Sequence, residues 1–353
     1  MARPKKRIVT TVVIVAVALC ATAFALDRAT LQATYARVPD QKVSLLPRYE
    51  LYEQDYPRSD VEFQLDGTTL RGHVYGQDNT CGLIVFRHGM FSKHEDYLPF
   101  ITAMVDRGWR VFAYDAIGCG ESDGESTLGM SQSPLDVTAA VNYAQEAGLA
   151  KEMPLVLWGH SWGGYGVAAA LAQCPDVDAC VTMSGFDTPM KELDASAVSS
   201  YGLLGKIQWP FLWLNTTIDF GSNANVSASD AIASADVPTL VIHGSGDTTV
   251  PYDGVSILDN VEKRWQGLSG KKISTVTLAE EGRNGHNDYF YTRESQAYLN
   301  KCAADLQALL DENDDDVSAP EVLAYLEGVD LLRANTADPE LLDEIEDFLK
   351  VYV

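Results

Sequence analysis

From residue 60 onward the chain repeats one hydrophobic pattern. Short, largely apolar runs stand at 82–87, 110–114, 155–158, 179–183, 239–243 and 273–278, as in strands buried on both faces. Between them lie longer stretches with helical spacing, at 97–106, 134–147, 162–172, 252–261 and 289–310. Ser133 stands as an N-cap before Pro134 at a first helical position. Residues 61–75 alternate apolar and polar around Asp66-Gly67, which predicts a hairpin. Strand alternating with helix predicts an α/β chain with a parallel, doubly wound sheet.

The alternation breaks at 185–236, after the sixth strand. A cap over the strand ends is expected there. Its aromatic residues include Trp209, Phe211 and Trp213, candidates for the lining of an apolar substrate pocket. Plain packing of the cap accounts for them equally well.

Both ends depart from the pattern. Arg3, Lys5, Lys6 and Arg7 precede an uncharged run from residue 8 to 26. Ala23-Phe24-Ala25 then offers a small-x-small cleavage site. Residues 1–26 are therefore a signal peptide or a retained membrane anchor, since about 20 apolar residues cross a bilayer core. Either reading places 27–353 outside the cytoplasm, membrane-anchored or secreted. Residues 27–59 are polar with three prolines, as in a stalk or an arm lying on the domain. Residues 312–353 form an acidic extension with helices expected at 320–335 and 339–351. They pack back on the domain or dock a partner.

Composition narrows the function classes. Over 353 residues, 46% are hydrophobic, and 50 acidic side chains face 26 basic ones for a net charge of −24. Such a surface repels phosphate backbones, so nucleic acid is not an expected partner. Cys174 and Cys180 flank a short loop and either pair or stay as buried thiols. No C-x-x-C or His/Cys cluster points to a metal.

The chemistry-bearing motif is Gly159-His160-Ser161-Trp162-Gly163, a G-x-S-x-G pentapeptide between a predicted strand and a predicted helix. A serine at such a turn is backbone-strained and exposed to a base. Asp247 follows strand 239–243 on a Gly-rich turn, and His286 follows strand 273–278 in a loop. Acyl transfer needs a nucleophile, a base, an orienting acid and donors for an oxyanion. Ser161, His286 and Asp247 supply the first three. The backbone N–H groups of Trp162 and of Met90, in the loop after strand 82–87, are the candidate oxyanion donors. His88 is expected to bind loop backbone, and Asp115 to shape its own loop.

Together, His88-Gly89, Asp115 with Gly118-x-Gly120-x-Ser122, the pentapeptide with Gly164, Asp247 with Val250-Pro251, and His286 with Asp288 resemble the α/β-hydrolase superfamily. The likeness is to its monoacylglycerol-lipase-like and serine-aminopeptidase-like members, over about residues 60–311. It implies a mostly parallel eight-stranded sheet, a cap after the sixth strand and no cofactor. It also implies a small-molecule or lipid-like acyl substrate. Cleavage of carboxylic esters through an acyl-enzyme is the expected activity. A peptidase releasing N-terminal residues would add a carboxylate for the free amine, with Glu121, Asp187 and Glu192 as candidates. A non-enzymatic envelope binding module, docked through the acidic C-terminal helices, is the third reading.

Overall fold

Eight strands form one sheet in the order β1-β2-β4-β3-β5-β6-β7-β8. The computed structural model describes residues 3–39, 43–264, 270 and 272–353. The hairpin β1 (Arg58–Leu65) and β2 (Thr68–Tyr75) turns at Asp66-Gly67, both with positive φ. β2 pairs antiparallel with β4 (Arg110–Tyr114). The remaining pairs are parallel: β3 (Leu83–Arg87) lies between β4 and β5 (Leu155–His160), followed by β6 (Ala179–Met183), β7 (Thr239–Gly244) and β8 (Ile273–Leu278). Every residue of β3, β5, β6 and β7 is buried. That burial on both faces is why these runs read as continuously apolar.

In chain order the helices are α1 (Arg3–Thr34), α2 (Leu98–Asp106), α3 (Ser133–Glu146), α4 (Trp162–Ala170), α5 (Pro189–Tyr201), α6 (Trp209–Phe220), α7 (Ala228–Ser234), α8 (Tyr252–Val255), α9 (Ile257–Lys263), α10 (Arg293–Glu312), α11 (Pro320–Gly328), α12 (Leu331–Ala334) and α13 (Pro339–Tyr352). One core cluster packs α3 and α4 on a face of the sheet, and a second packs α2 and α13 on the other. The cap between β6 and β7 consists of α5, the 3-10 turn Gly202–Ile207, α6 and α7.

Several boundaries differ from expectation for local reasons. The helix expected at 252–261 is broken at Gly254 (φ 78°), and Ser256 caps a fresh start by accepting from the Asp259 N–H. The segment 320–335 is two helices, because Asp330 accepts from the Arg333 N–H and caps α12. Residues 289–292 are loop rather than helix, and Thr292 caps α10. Cys174 and Cys180 are separate buried thiols.

The two flanks are not detached. Residues 35–37 and 49–56 lie on the domain as an arm. Tyr35 and Tyr52 are buried in the two cores, and the Tyr35 carbonyl accepts from the Thr127 N–H at 2.7 Å. Arg37 donates to the carbonyls of Gly120, Ser122 and Gly124. At the other end α13 buries Leu341, Leu342, Ile345, Phe348 and Leu349. Arg283 pairs with Asp338, and Arg107 with Asp343 at 2.7 Å. The acidic face of α13 points outward while its apolar stripe completes the core.

Candidate active site

β5 ends in a turn that no ordinary residue sequence tolerates. Ser161 has φ 58° and ψ −121°, a region that costs a side-chain-bearing residue of order 1–3 kcal/mol. The turn closes because Gly159 and Gly163 lack side chains. A Cβ on Gly159 would overlap the Gly163 carbonyl, and one on Gly163 would overlap the carbonyls of Arg87 and His88. The Ser161 N–H donates to the Met183 carbonyl of β6 at 2.8 Å, and its carbonyl starts α4 by accepting from Tyr165. The hydroxyl is thereby held at the carboxyl end of the sheet.

The structure brings Ser161, His286 and Asp247 together. His286 Nε2 lies 2.9 Å from Ser161 Oγ, and His286 Nδ1 lies 2.7 Å from Asp247 Oδ2. Asp247 Oδ1 accepts from the N–H groups of Thr249 and Val250, each at 2.9 Å. Its Oδ2 also lies 3.3 Å from His243 Nε2. Burial alone would raise this carboxyl, but the bonds from His243, His286 and Val250 outweigh it and hold it well below the usual carboxylate range. An ionised Asp247 fixes the proton on His286 Nδ1. That leaves Nε2 free to accept from the serine hydroxyl.

A second chain of hydrogen bonds supports the histidine from behind. His286 donates nothing from its backbone carbonyl; that oxygen accepts from His160 Nε2 at 3.2 Å and from Ser184 Oγ at 3.4 Å. His160 Nδ1 lies 2.8 Å from the Tyr97 hydroxyl, which accepts from the Gly89 N–H at 3.2 Å. Burial, then the neighbouring His286, keeps His160 well below its ordinary value and so neutral. The path from Gly89 through Tyr97 and His160 thus links the loop after β3 to His286. Sequence reasoning missed Tyr97 and the role of His160. Only the histidine inside the pentapeptide offered a signal, because Tyr97 meets it from 63 residues away.

Met90 and Trp162, the candidate oxyanion donors, lie in the loop after β3 and at the start of α4. Met90 follows Gly89, at which a side chain would come within 3.4 Å of Ser161 Cβ, and Trp162 follows Ser161 directly. Trp162 opens α4, where first-turn N–H groups have no intrahelical partner. Beneath them lies Arg87, fully buried, its guanidinium 5.3 Å from the Trp162 ring and donating to the His88 carbonyl at 2.6 Å. Buried Asp136 is 3.8 Å from Arg87; burial, partly countered by Arg87, pushes its carboxyl up to about 6. His88 Nε2 accepts from the Ala116 N–H, so Nδ1 carries the proton and donates to the Gly89 carbonyl at 2.7 Å. Asp115 accepts from the N–H groups of His94 and Glu121, which shapes the loop after β4.

Of the three cap aromatics, Trp209 borders a groove of about 470 Å³ whose walls include Asp187, Lys191, Asp230 and Arg264. α6 buries Leu212, Asn215 and Thr216. Trp209 and Trp213, four apart, therefore share an outer flank and are each 44% exposed. Neither they nor Phe211 line the cavity of about 610 Å³ between the foot of α1 and the cap. Its apolar walls are Leu31, Tyr35, Met130, Leu193 and Phe220. Buried Tyr35 stands between this cavity and Trp162, its ring 6.1 Å from the indole, and Ser161, Asp247 and His286 are not among the cavity's lining residues.

Of the three carboxylates considered for an amine, two are engaged. Asp187 accepts from Lys191, Ser227 and the Ser229 N–H. Glu121 is half-exposed beside Arg58 and His73. Glu192 is buried on α5, accepts from Ser196 at 3.1 Å through one oxygen, and has no hydrogen-bond partner on the other.

A family model described as serine aminopeptidase, S33, matches residues 78–208. The YfhR protein of Escherichia coli O157:H7 is 25% identical over 264 residues, 71% of this chain and 82% of that protein. YfhR of Salmonella typhi is 27% identical over 197 residues, and the match spans 63% of its length. The lysophosphatidylserine lipase ABHD12 of Danio rerio is 29% identical over 208 residues, 56% of this chain and 51% of that protein. The solved structure of the esterase Pf2001 of Pyrococcus furiosus shares the fold, with a TM-score of 0.53 at 17% identity over 78% of this chain and 98% of that one. Sheet order, family-model match and structural likeness agree on one architecture, and the chain has the α/β-hydrolase fold.

Proposed function

We propose that the chain is a serine hydrolase that cleaves carboxylic esters through an acyl-enzyme. The observation that carries this reading is the continuous bond path from Ser161 Oγ through His286 to Asp247, at 2.9 and 2.7 Å. In the proposed reaction the Ser161 oxygen attacks the ester carbonyl carbon while His286 Nε2 takes its proton. The carbonyl oxygen becomes an oxyanion facing the Trp162 and Met90 N–H groups. Collapse expels the alcohol, which leaves with the proton from His286. Water, deprotonated by the same nitrogen, then attacks the acyl-serine and restores the enzyme. The lipase named among the relatives acts on an acyl ester, which supports the same bond type here.

A fluorophosphonate probe tests the reading. Labelling of the intact chain, lost in Ser161→Ala, is the expected result. Absence of labelling in the folded wild type would sink it.

The serine aminopeptidase reading has one observation in its favour, the buried Glu192 oxygen without a partner, together with the description of the matching family model. It expects faster turnover of aminoacyl anilides than of acyl esters, with a loss confined to the anilides in Glu192→Gln.

A further inference from the structure

The apolar surface of the cap adjoins the apolar helix at the N-terminus. Residues 8–26 of α1 carry no charge, and Ile8–Thr34 is long and apolar enough to cross a membrane, with its most hydropathic stretch wholly unburied. Below that stretch the helix docks on α6. Asn215 donates to the Phe24 carbonyl at 3.4 Å, and Arg28 pairs with Asp219 at 2.6 Å. Both contacts join residues 191 apart. Two helices touching at a constant offset, one turn apart, run in the same direction. Moving toward the N-terminus of α6 is therefore moving up α1 toward its apolar end, about 6 Å per four residues.

Polarity changes on both helices at the same level. On α1 the uncharged run ends at Leu26, before Asp27 and Arg28. The offset matches these to Thr217, Ile218 and Asp219. The polar residues of α6, from Asn215 to Asp219, thus sit beside the polar end of α1. The preceding residues, 209–214, are all apolar. Trp213 is 44% and Leu214 42% exposed on the outer face, and in the turn before α6 Leu203, Leu204 and Ile207 are 82, 69 and 65% exposed. The one charge in that turn, Lys206, reaches Asp194 at 3.5 Å on its long stem. A helix apolar on nearly every side needs either a protein core or lipid around it, and an exposed apolar patch of this size marks a contact surface.

We propose that residues 203–214 of the cap are immersed in the bilayer that holds α1, among lipid acyl chains. By the same offset Trp213 is level with Thr22 and takes the interfacial position that tryptophans favour, while Trp209, level with Ala18, lies deeper at the edge of the patch, where it borders the groove of Lys191 and Arg264. The cavity between the foot of α1 and the cap then opens at the level where α1 leaves the bilayer. An acyl substrate enters the site sideways from the membrane. The route of the substrate rests on the acyl-hydrolase reading; the lipid contact does not.

The full chain, reconstituted in phosphatidylcholine vesicles whose acyl chains carry bromine, provides the test. Brominated lipid quenches the tryptophan emission of the wild type, and Trp209→Phe/Trp213→Phe loses most of that quenching. Trp265, outside the described residues, is replaced by Phe in both proteins, so that Trp109, Trp158 and Trp162, buried in the domain, supply an unquenched background. Equal quenching in both proteins, or none in the wild type, overturns the proposal. So does finding that Leu204→Glu/Ile207→Glu splits a dimer while lipid quenching is absent, since a second copy then covers the patch. The glutamate variant lowers turnover of a vesicle-embedded long-chain ester severalfold and leaves a short, water-soluble ester unchanged; equal losses on both overturn the route. Fluorophosphonate labelling reports the serine separately, so a chain that is quenched but unlabelled fails only the hydrolase reading.

Discussion

At the residue scale two carboxylates of the candidate site are held in opposite states. Asp247 is kept ionised by four donors, and its charge orients His286. Asp247→Asn should leave the fold intact and lower kcat about 10⁴-fold, because an amide favours the wrong imidazole tautomer; steady-state kinetics on a nitrophenyl ester checks this. Glu192 is the reverse case. Burial, with Asp247 nearby, pushes its carboxyl up to about 7 from an ordinary 4.5. Between those values the folded chain holds a proton that the unfolded chain has released. Stability from this group is therefore fully present below the unfolded value and is lost as pH rises through the folded one, by about 3 kcal/mol at most. Glu192→Gln should raise the melting temperature at pH 8 and change it little at pH 4, as thermal scans will show. That Ser161, Asp247 and His286 would lie at strand ends was legible in the sequence because each sits in a short, glycine-marked turn. Tyr97 and Glu192 were not. Their roles come from meeting residues far away in the chain, and no local pattern records that.

At the element scale, strands and helices of the sheet were readable from period alone, since burial on both faces makes a strand uniformly apolar. The breaks at Gly254 and Asp330 were missed because a single cap outweighs the periodicity around it. The N-terminal arm was hard to read for a different reason. Its anchors, Tyr35 and Tyr52, are isolated among polar residues. For α13, sequence left open whether an acidic helix docks a partner or packs home. Ile345 is fully buried in the sheet core, so Ile345→Ala should cost about 2–5 kcal/mol. Denaturant titration of the full chain measures it. A separately folded docking module would show no change in the midpoint of the main transition.

At the scale of the whole molecule the net charge of −24 would oppose the proposed contact of the cap with lipid where that lipid is anionic. Anionic headgroups should then be poor hosts. Replacing part of a phosphatidylcholine vesicle with phosphatidylglycerol should slow hydrolysis of an embedded ester at low ionic strength. About 1 M salt, where the screening length is near 3 Å, should restore it. A rate indifferent to salt would remove electrostatics from the description.

Only eight residues separate Leu26, the last of the uncharged run, from Tyr35, which is buried against Trp162. Helix fills that interval without a flexible leash. A domain tethered so closely, with α1 in a bilayer, is confined to one height and nearly one tilt. It would then meet a membrane-borne ester by diffusion in a plane. Its speed would then follow the mole fraction of ester in the surface rather than the amount in solution, and diluting the vesicles at constant composition would leave the turnover per enzyme unaltered.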